Sequence, residues 1–530
     1  MRNALIAGAL LVAGSVSAQR VSVSWGEESK TELSYGSLVR GNGTDMVKLC
    51  FENKGGGMFS KRTTTPILAR YNNRLREEGV RSYNASEEGV NFDNLLSVGG
   101  NLFMFTNRYE RSDKTTYFYS QKIDPKTLMP SGAPVNLGTM AALDRSRQST
   151  ADYEISKDSS KILMFGLSPF SKKNNEKYYM AVYNNQMAKQ WDNTVELPYL
   201  DKFIVIFDYL VTNNGDVGVL IKHYDKEVKK EKIREDGANV PAYKTKFLLY
   251  AKGAAKPKEF TLDLKDKFVH DLQLTSDDNN NLTLFGLYKN KYDGYVNGYF
   301  ITTLNSSADK VETNKMEAFP ETLVDLVKKD KQGSNKEKDP GLSSYFTLAD
   351  VVTRADGSTD YLLEYYKKVI VTRSSGGGPG ISITTSYSYP IYHYGDVIDI
   401  HVTNGKPTSF IRLPKYQETA NTNMFSSFKA ATANNKLFLF YNDDRDNVER
   451  DIEKRPDDMI KFTKSILALA TIDQRDNLTR SMVYDHKEMK LTTCVRVSQR
   501  LGNSVIGLYA QRMGGMFSSA KDMVGLLELK

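Results

Sequence analysis

Along this chain a tight polar turn is followed at once by a short apolar run, and the pairing recurs eight times. The turns are Gly41-Asn42-Gly43, Gly99-Gly100-Asn101, Asp158-Ser159-Ser160, Asn213-Asn214-Gly215, Asp278-Asn279-Asn280, Asp356-Gly357-Ser358, Asn434-Asn435 and Gly502-Asn503. Gly, Asn and Asp tolerate the positive φ angles that short hairpins demand. The runs behind them are MVKLCF, LFMF, KILMFGL, VGVLI, LTLFGLY, YLLEYY, KLFLF and SVIGLY. Near-continuous apolar runs bounded by turns are strands buried on both faces, as in sheets packed between neighbouring sheets.

Measured from Asn42, Gly100, Ser159, Gly215, Asn279, Gly357, Asn435 and Asn503, the spacings are 58, 59, 56, 64, 78, 78 and 68 residues. A four-stranded propeller blade with one extended loop fits that period. Every unit carries a third strand (PILARY, TTYFYSQKI, KYYMAVY, KFLLYAK, GYFITTL, DVIDIHV, SILALATI, VGLLELK), and most carry a weaker fourth, such as PVNLG, EFTLDL or SFIRLP. The pattern predicts an all-β fold, a single β-propeller of about eight four-stranded blades; seven is the alternative if the first unit is irregular. The last unit ends at Lys530 after its third strand, and an orphan strand, Val21-Ser22-Val23-Ser24-Trp25, stands near the N-terminus. Donating it to the last blade closes the ring and covers two exposed edges. Outside the repeat, Glu321 to Lys331 (ETLVDLVKKDK) reads as a short amphipathic helix behind Pro320, running into a charged linker near 320–340. A Gly/Ser stretch, Ser374 to Gly380, interrupts unit six.

The segment Ser156-Lys157-Asp158-Ser159-Ser160-Lys161-Ile162-Leu163-Met164-Phe165 resembles the Ser-x-Asp-Gly-Lys-x-Ile-x-Phe pattern of the WD40-like repeats in TolB-type bacterial propellers. Ser159 stands where that pattern has Gly, and Thr275 to Phe285 and Thr353 to Leu363 are looser echoes. The resemblance implies an exported bacterial propeller of unassigned role. It carries no activity, because the residues concerned build a hairpin.

The N-terminus bears on the compartment. Arg2 precedes an apolar stretch from Ala4 to Val12, and small residues lead to Val16-Ser17-Ala18, with Gln19 as the expected first mature residue. That is the layout of a signal peptide over residues 1–18, with the propeller domain over 19–530 and an exported chain, periplasmic or extracellular. No other stretch approaches the roughly 18 apolar residues of a transmembrane helix. A net charge of +8 spread over 72 basic and 64 acidic residues is a mild imbalance, and no nucleic-acid partner is expected. Abundant Tyr (31) and Phe (24) favour strands, and only two cysteines exclude a disulfide-dense scaffold and a multi-cysteine metal site. There is no G-x-S-x-G elbow, H-E-x-x-H or P-loop, and the five histidines (His223, His270, His393, His401, His486) have no paired spacing. No catalytic residue, metal or cofactor is therefore expected from motifs.

Candidate contact residues lie on the connections between second and third strands. Long insertions fall there at Asp225 to Tyr243, Arg373 to Tyr394 and Asn442 to Lys461, all on one rim. The densest aromatic run includes Tyr387, Tyr389, Tyr392, His393 and Tyr394. Tyrosines on a Gly/Ser loop suit a protein or glycan partner; the other reading is a third strand that begins early. Met58-Phe59 and Met516-Phe517 sit in matching Gly-Gly-Met-Phe-Ser loops of units one and eight, which would form one apolar patch or pack on their own blades. Cys50 and Cys494 fall on those same neighbouring units. A ring-closing disulfide is one reading, and two separate buried thiols is the simpler one. The expectation is a non-catalytic binding or scaffold propeller of the bacterial cell envelope, engaging a protein or glycan. The alternative is a glycan-active hydrolase or lyase with its site in the central pocket. Charged side chains converging on that pocket would favour the enzyme.

Overall fold

The protein is described by a computed structural model. It covers residues 21–530 except 31–33, 42–44, 55–62, 84–88, 228–230, 236, 331, 333–338, 376–384 and 513–519. The expected signal segment, residues 1–18, lies outside the described residues.

Apolar strands separated by tight turns fold back on themselves as hairpins, and the described residues form eight antiparallel sheets of four or more strands. Blades 1 to 7 span residues 34–82, 90–141, 150–200, 204–261, 268–318, 346–413 and 428–485. Blade 8 takes its strands from 492–529, and Val21–Trp25 pairs with Lys521–Leu529 in register, Val21 opposite Leu529 and Trp25 opposite Gly525. Its innermost strand is split into Thr492–Thr493 and Gln499–Gly502 by a helical turn at Val495–Val497.

The first strand of each blade touches the first strands of both neighbours, from blade 1 through blade 8 and back to blade 1. These strands therefore line the axis of a closed β-propeller. Eight apolar clusters fill the eight interfaces, one per neighbouring pair, the last joining Leu38 and Met46 of blade 1 to Tyr509 and Val524 of blade 8. The alternation of a strand serves two interfaces at once. In Lys161–Leu167, Ile162 and Met164 pack toward blade 2 while Leu163 and Phe165 pack toward blade 4. That double burial is why the runs read as continuously apolar, each large side chain contributing about 1.5–3 kcal/mol.

The helix before blade 6 forms over Glu321–Lys329 and buries Leu323, Val324 and Val327 between blades 5 and 6. Its far end is anchored by Arg412, which pairs with both Asp330 and Asp396. Among the described residues no helix is long and apolar enough to cross a membrane.

Candidate functional site

Innermost strands have one edge without a sheet partner, so their N–H groups need other acceptors. Asn94, Asp152, Asp208, Asp271 and Asp350 supply them. In each, a side-chain oxygen accepts the N–H of the next residue. The second oxygen of three of them reaches the following blade. The Leu274 N–H donates to Asp208 at 2.8 Å, the Leu348 N–H to Asp271 at 2.8 Å, and the Tyr209 hydroxyl to Asp152 at 2.9 Å. A β-bulge immediately precedes Asn94, Asp208, Asp271 and Asp350 and aims them out of the ladder. Burial raises the Asp208 carboxyl to about 6, against the two N–H groups that favour its ionised form.

Blades 7 and 8 answer with cations. Arg500 spans the inner strand of blade 7 to meet Asp350 of blade 6 at 3.3 and 3.4 Å. Lys429, on the inner strand of blade 7, has its ammonium pKa lowered by burial and by Arg496 and Arg500, against the opposing pull of Asp350 and Glu364. Charge does converge on the axis, but the acids named above join one blade to another rather than standing free.

The two ends of the ring differ. At one end the tight turns clamp each other: Asn213 accepts the Asp158 N–H at 3.0 Å, Asn280 that of Asn214 at 3.1 Å, and Asn435 that of Asp356 at 3.1 Å. The other end carries the folded insertions. On blade 4, Lys232–Glu235 and Ala238–Pro241 form a small hairpin. On blade 7 the insertion is tied down by buried Asn447, which donates to Asp443 at 2.7 Å and to the Asp457 carbonyl at 2.9 Å.

Of the two readings of the blade 6 insertion from Arg373 to Tyr394, a loop carrying the tyrosines or a third strand that begins early, the second holds. The second strand runs over Thr359–Ser375 and the third over Thr385–Thr403, so the tyrosine run belongs to a two-stranded ribbon extending the blade. Strand geometry then divides the run. Tyr387 and Tyr389 share a face with Val371 and Ile391, their rings stack at 5.8 Å, and Tyr387 is 56 % exposed. Ile370, on the opposite face, is 58 % exposed. Tyr392 has the Lys368 ammonium 5.7 Å from its ring centroid, and His393 Nδ1 lies 2.9 Å from the Tyr416 hydroxyl. Tyr394 is buried, its hydroxyl accepting from Asn423 at 3.0 Å and Arg496 at 2.9 Å, a structural role.

Met58, Phe59, Met516 and Phe517 lie outside the described residues. Cys50 and Cys494, in place of the ring-closing disulfide, are free thiols, both buried. Burial raises the Cys50 thiol to about 11 and the Cys494 thiol well above its usual range. Among the described residues no cluster of His, Cys, Asp or Glu is arranged to hold a metal ion.

Sequence reasoning passed over a cleft of about 550 Å³ between blades 4 and 5 on the elaborated end, whose lining includes Lys222, Glu231, His270, Lys289, Tyr292 and Asp293. Lys222 is almost fully buried against the rings of Phe207 (4.5 Å) and Tyr243 (4.3 Å) and pairs with Glu231 at 3.1 Å. His270 is the bulged residue of its strand, and its Nε2 meets the Phe346 carbonyl at 2.8 Å. Five elements separated by up to 122 residues (222 to 344) meet there, and no local motif marks them.

No protein-family model matches the chain, and no curated protein sequence matches it. Solved structures similar to it include the β-propeller domain of the Trilobed protease from Pyrococcus furiosus, at 10 % identity and TM-score 0.35, covering 87 % of this chain and 98 % of that one. The WD40 domain of SCAP from fission yeast is similar at 8 % identity and TM-score 0.38, with 98 % and 97 % covered. The polysaccharide lyase Uly1 is similar at 9 % identity and TM-score 0.37, with 83 % and 90 % covered. The fold assignment rests on sheet order and ring contacts, and these likenesses carry no argument about activity.

Proposed function

We propose that this chain is an exported, non-catalytic binding propeller of the bacterial cell envelope, engaging a protein or glycan partner through its elaborated end. The observation that carries the reading is the asymmetry of the ring. One end is closed by short turns bonded to one another, while the other projects folded insertions from blades 4, 6 and 7, including a ribbon on which the exposed Tyr387 stacks with the half-buried Tyr389. Rigid aromatic area on a braced scaffold is what a contact surface needs. The channel supports binding over catalysis, because its aspartates serve as inter-blade acceptors.

The test is crosslinking from cysteines placed at Tyr387 and at the clamped turn residue Asn213, in cells of the native organism. The reading expects a discrete adduct from the ribbon, absent from the turn end and lost in the Tyr387→Ala, Tyr389→Ala protein. Equal labelling from both ends would reject it.

A further inference from the structure

The cleft between blades 4 and 5 has an unbalanced charge. Glu231 is engaged by Lys222 (3.1 and 3.3 Å) and by the Tyr224 hydroxyl at 2.7 Å. Asp293 is engaged by Lys232 at 3.1 Å. Lys289 differs: its ammonium donates to the Tyr292 carbonyl at 2.7 Å, and among the described residues no carboxylate lies within ion-pair distance of it. A half-buried ammonium beside a cleft, held by the neutral Tyr292 carbonyl and 5.7 Å from the centroid of the Tyr292 ring, is a seat for an oxyanion. Burial lowers the Lys289 pKa, and Asp293 and Glu231 act on it only from a distance, against Lys222.

His270 adds the second element of recognition. A carbonyl can only accept, so the 2.8 Å contact to Phe346 fixes the hydrogen on Nε2 and leaves Nδ1 as an acceptor. Burial lowers its pKa, which keeps the ring neutral at physiological pH. The bulge at His270 turns this side chain out of the regular ladder of Phe268–Ser276. The equivalent bulged residues of blades 4 and 6, Phe207 and Ala349, carry no such acceptor.

A cation that wants an oxyanion, next to a neutral imidazole that wants a hydroxyl hydrogen, describes one ligand chemistry: a carboxylate on a hydroxylated body. The volume of about 550 Å³ lies within the roughly 300–1,000 Å³ usual for small-ligand sites. We infer that this cleft binds a sugar carboxylate, Lys289 taking the carboxylate and His270 Nδ1 accepting from a neighbouring hydroxyl. The ligand is a free sugar acid or a uronic-acid residue of a polysaccharide. The inference rests on the reading of this end as the binding face and names a ligand class for one part of it.

Titration of the full chain by calorimetry tests it, using glucuronate, a short oligogalacturonate, glucose and acetate. Saturable binding of either uronate by about 10 mM is expected, weakened roughly tenfold by Lys289→Gln and restored in part by Lys289→Arg. Tighter binding of glucuronate identifies a free acid as the source, and tighter binding of the oligomer identifies a polysaccharide. Glucose binding as well as glucuronate would remove the role of Lys289, and acetate binding as well would remove that of His270. Absence of uronate binding, or Lys289→Gln behaving as wild type with an unchanged melting temperature, would overturn the inference. The Tyr387→Ala, Tyr389→Ala protein is expected to keep uronate binding, so failure of the ribbon and failure of the cleft are read separately.

Discussion

Trp25 lies directly opposite Gly525 on the paired terminal strands, and its ring covers the glycine so closely that a Cβ there would come within 2.6 Å of the indole. The same ring packs edge-on against Tyr484 of blade 7 at 6.1 Å. The chain's two ends are thus joined by side-chain fit as well as by a ladder of hydrogen bonds, and that join completes the ring.

Replacing Gly525 by Val should push the indole away and loosen the closure. A loss of about 1–3 kcal/mol is expected, as for overpacked sites generally, read as a lower melting temperature. Deleting Val21–Trp25 should be worse, because it leaves Lys521–Leu529 as an open edge. Size-exclusion chromatography should then show more self-association than the full chain does.

Asp271 joins blade 5 to blade 6 through the Leu348 N–H. Asp271→Ala strands that N–H and the one on Leu272, at a cost of about 1–3 kcal/mol for each buried donor left unpaired. Asp271→Asn keeps one acceptor oxygen and should fall between the two proteins in denaturant midpoint. An alanine variant as stable as wild type would show that the carboxylate does not hold the blades.

Asn280 has two duties that substitution can separate: a left-handed backbone (φ 64°) and the acceptor for the Asn214 N–H. Asn280→Gly keeps the backbone at ease and loses the bond, so about 0.5–1.5 kcal/mol is expected. Asn280→Ala loses both and should cost about 1 kcal/mol more. Paired thermal unfolding curves give the two terms.

Asp443 is buried without a cation in ion-pair contact among the described residues, and burial raises its carboxyl to about 7 despite hydrogen bonds from Asn447 and Asp444. The unfolded chain releases this proton at about pH 4. The group therefore adds stability that is full below about pH 4 and is lost as pH rises through about 7. Asp443→Asn, which keeps an acceptor for Asn447, should remove this contribution. The melting-temperature difference between variant and wild type should shift in the variant's favour from about pH 5.5 to about pH 8.5, on the order of 1 kcal/mol per pH unit at most.

The local alphabet of the fold was readable from the chain. Apolar runs such as Ile162 to Phe165, short and bounded by tight turns, read as strands covered on both faces, and Gly215, Gly357 and Asn435 mark turns because their positive φ angles exclude most residues. The orphan strand Val21–Trp25 could be assigned to blade 8 because an open ring leaves two unpaired edges. What sequence reasoning missed depends on which blades become neighbours. Asp152, Asp208 and Asp350 stand seven residues ahead of Ser159, Gly215 and Gly357, a regularity visible in the sequence, yet its meaning appears only once the ring sets these carboxylates against the Tyr209 hydroxyl, the Leu274 N–H and the Arg500 guanidinium of other blades. The tyrosine run divides into the exposed Tyr387 and the buried Tyr394 because the ribbon stands clear of the blade at Tyr387, where Ile370 on its other face is exposed too, and enters the blade at Tyr394. The cleft around Lys289 and His270 was decided by tertiary structure alone, since closing a ring brings strand ends together whose separation along the chain carries no signal of their distance in space.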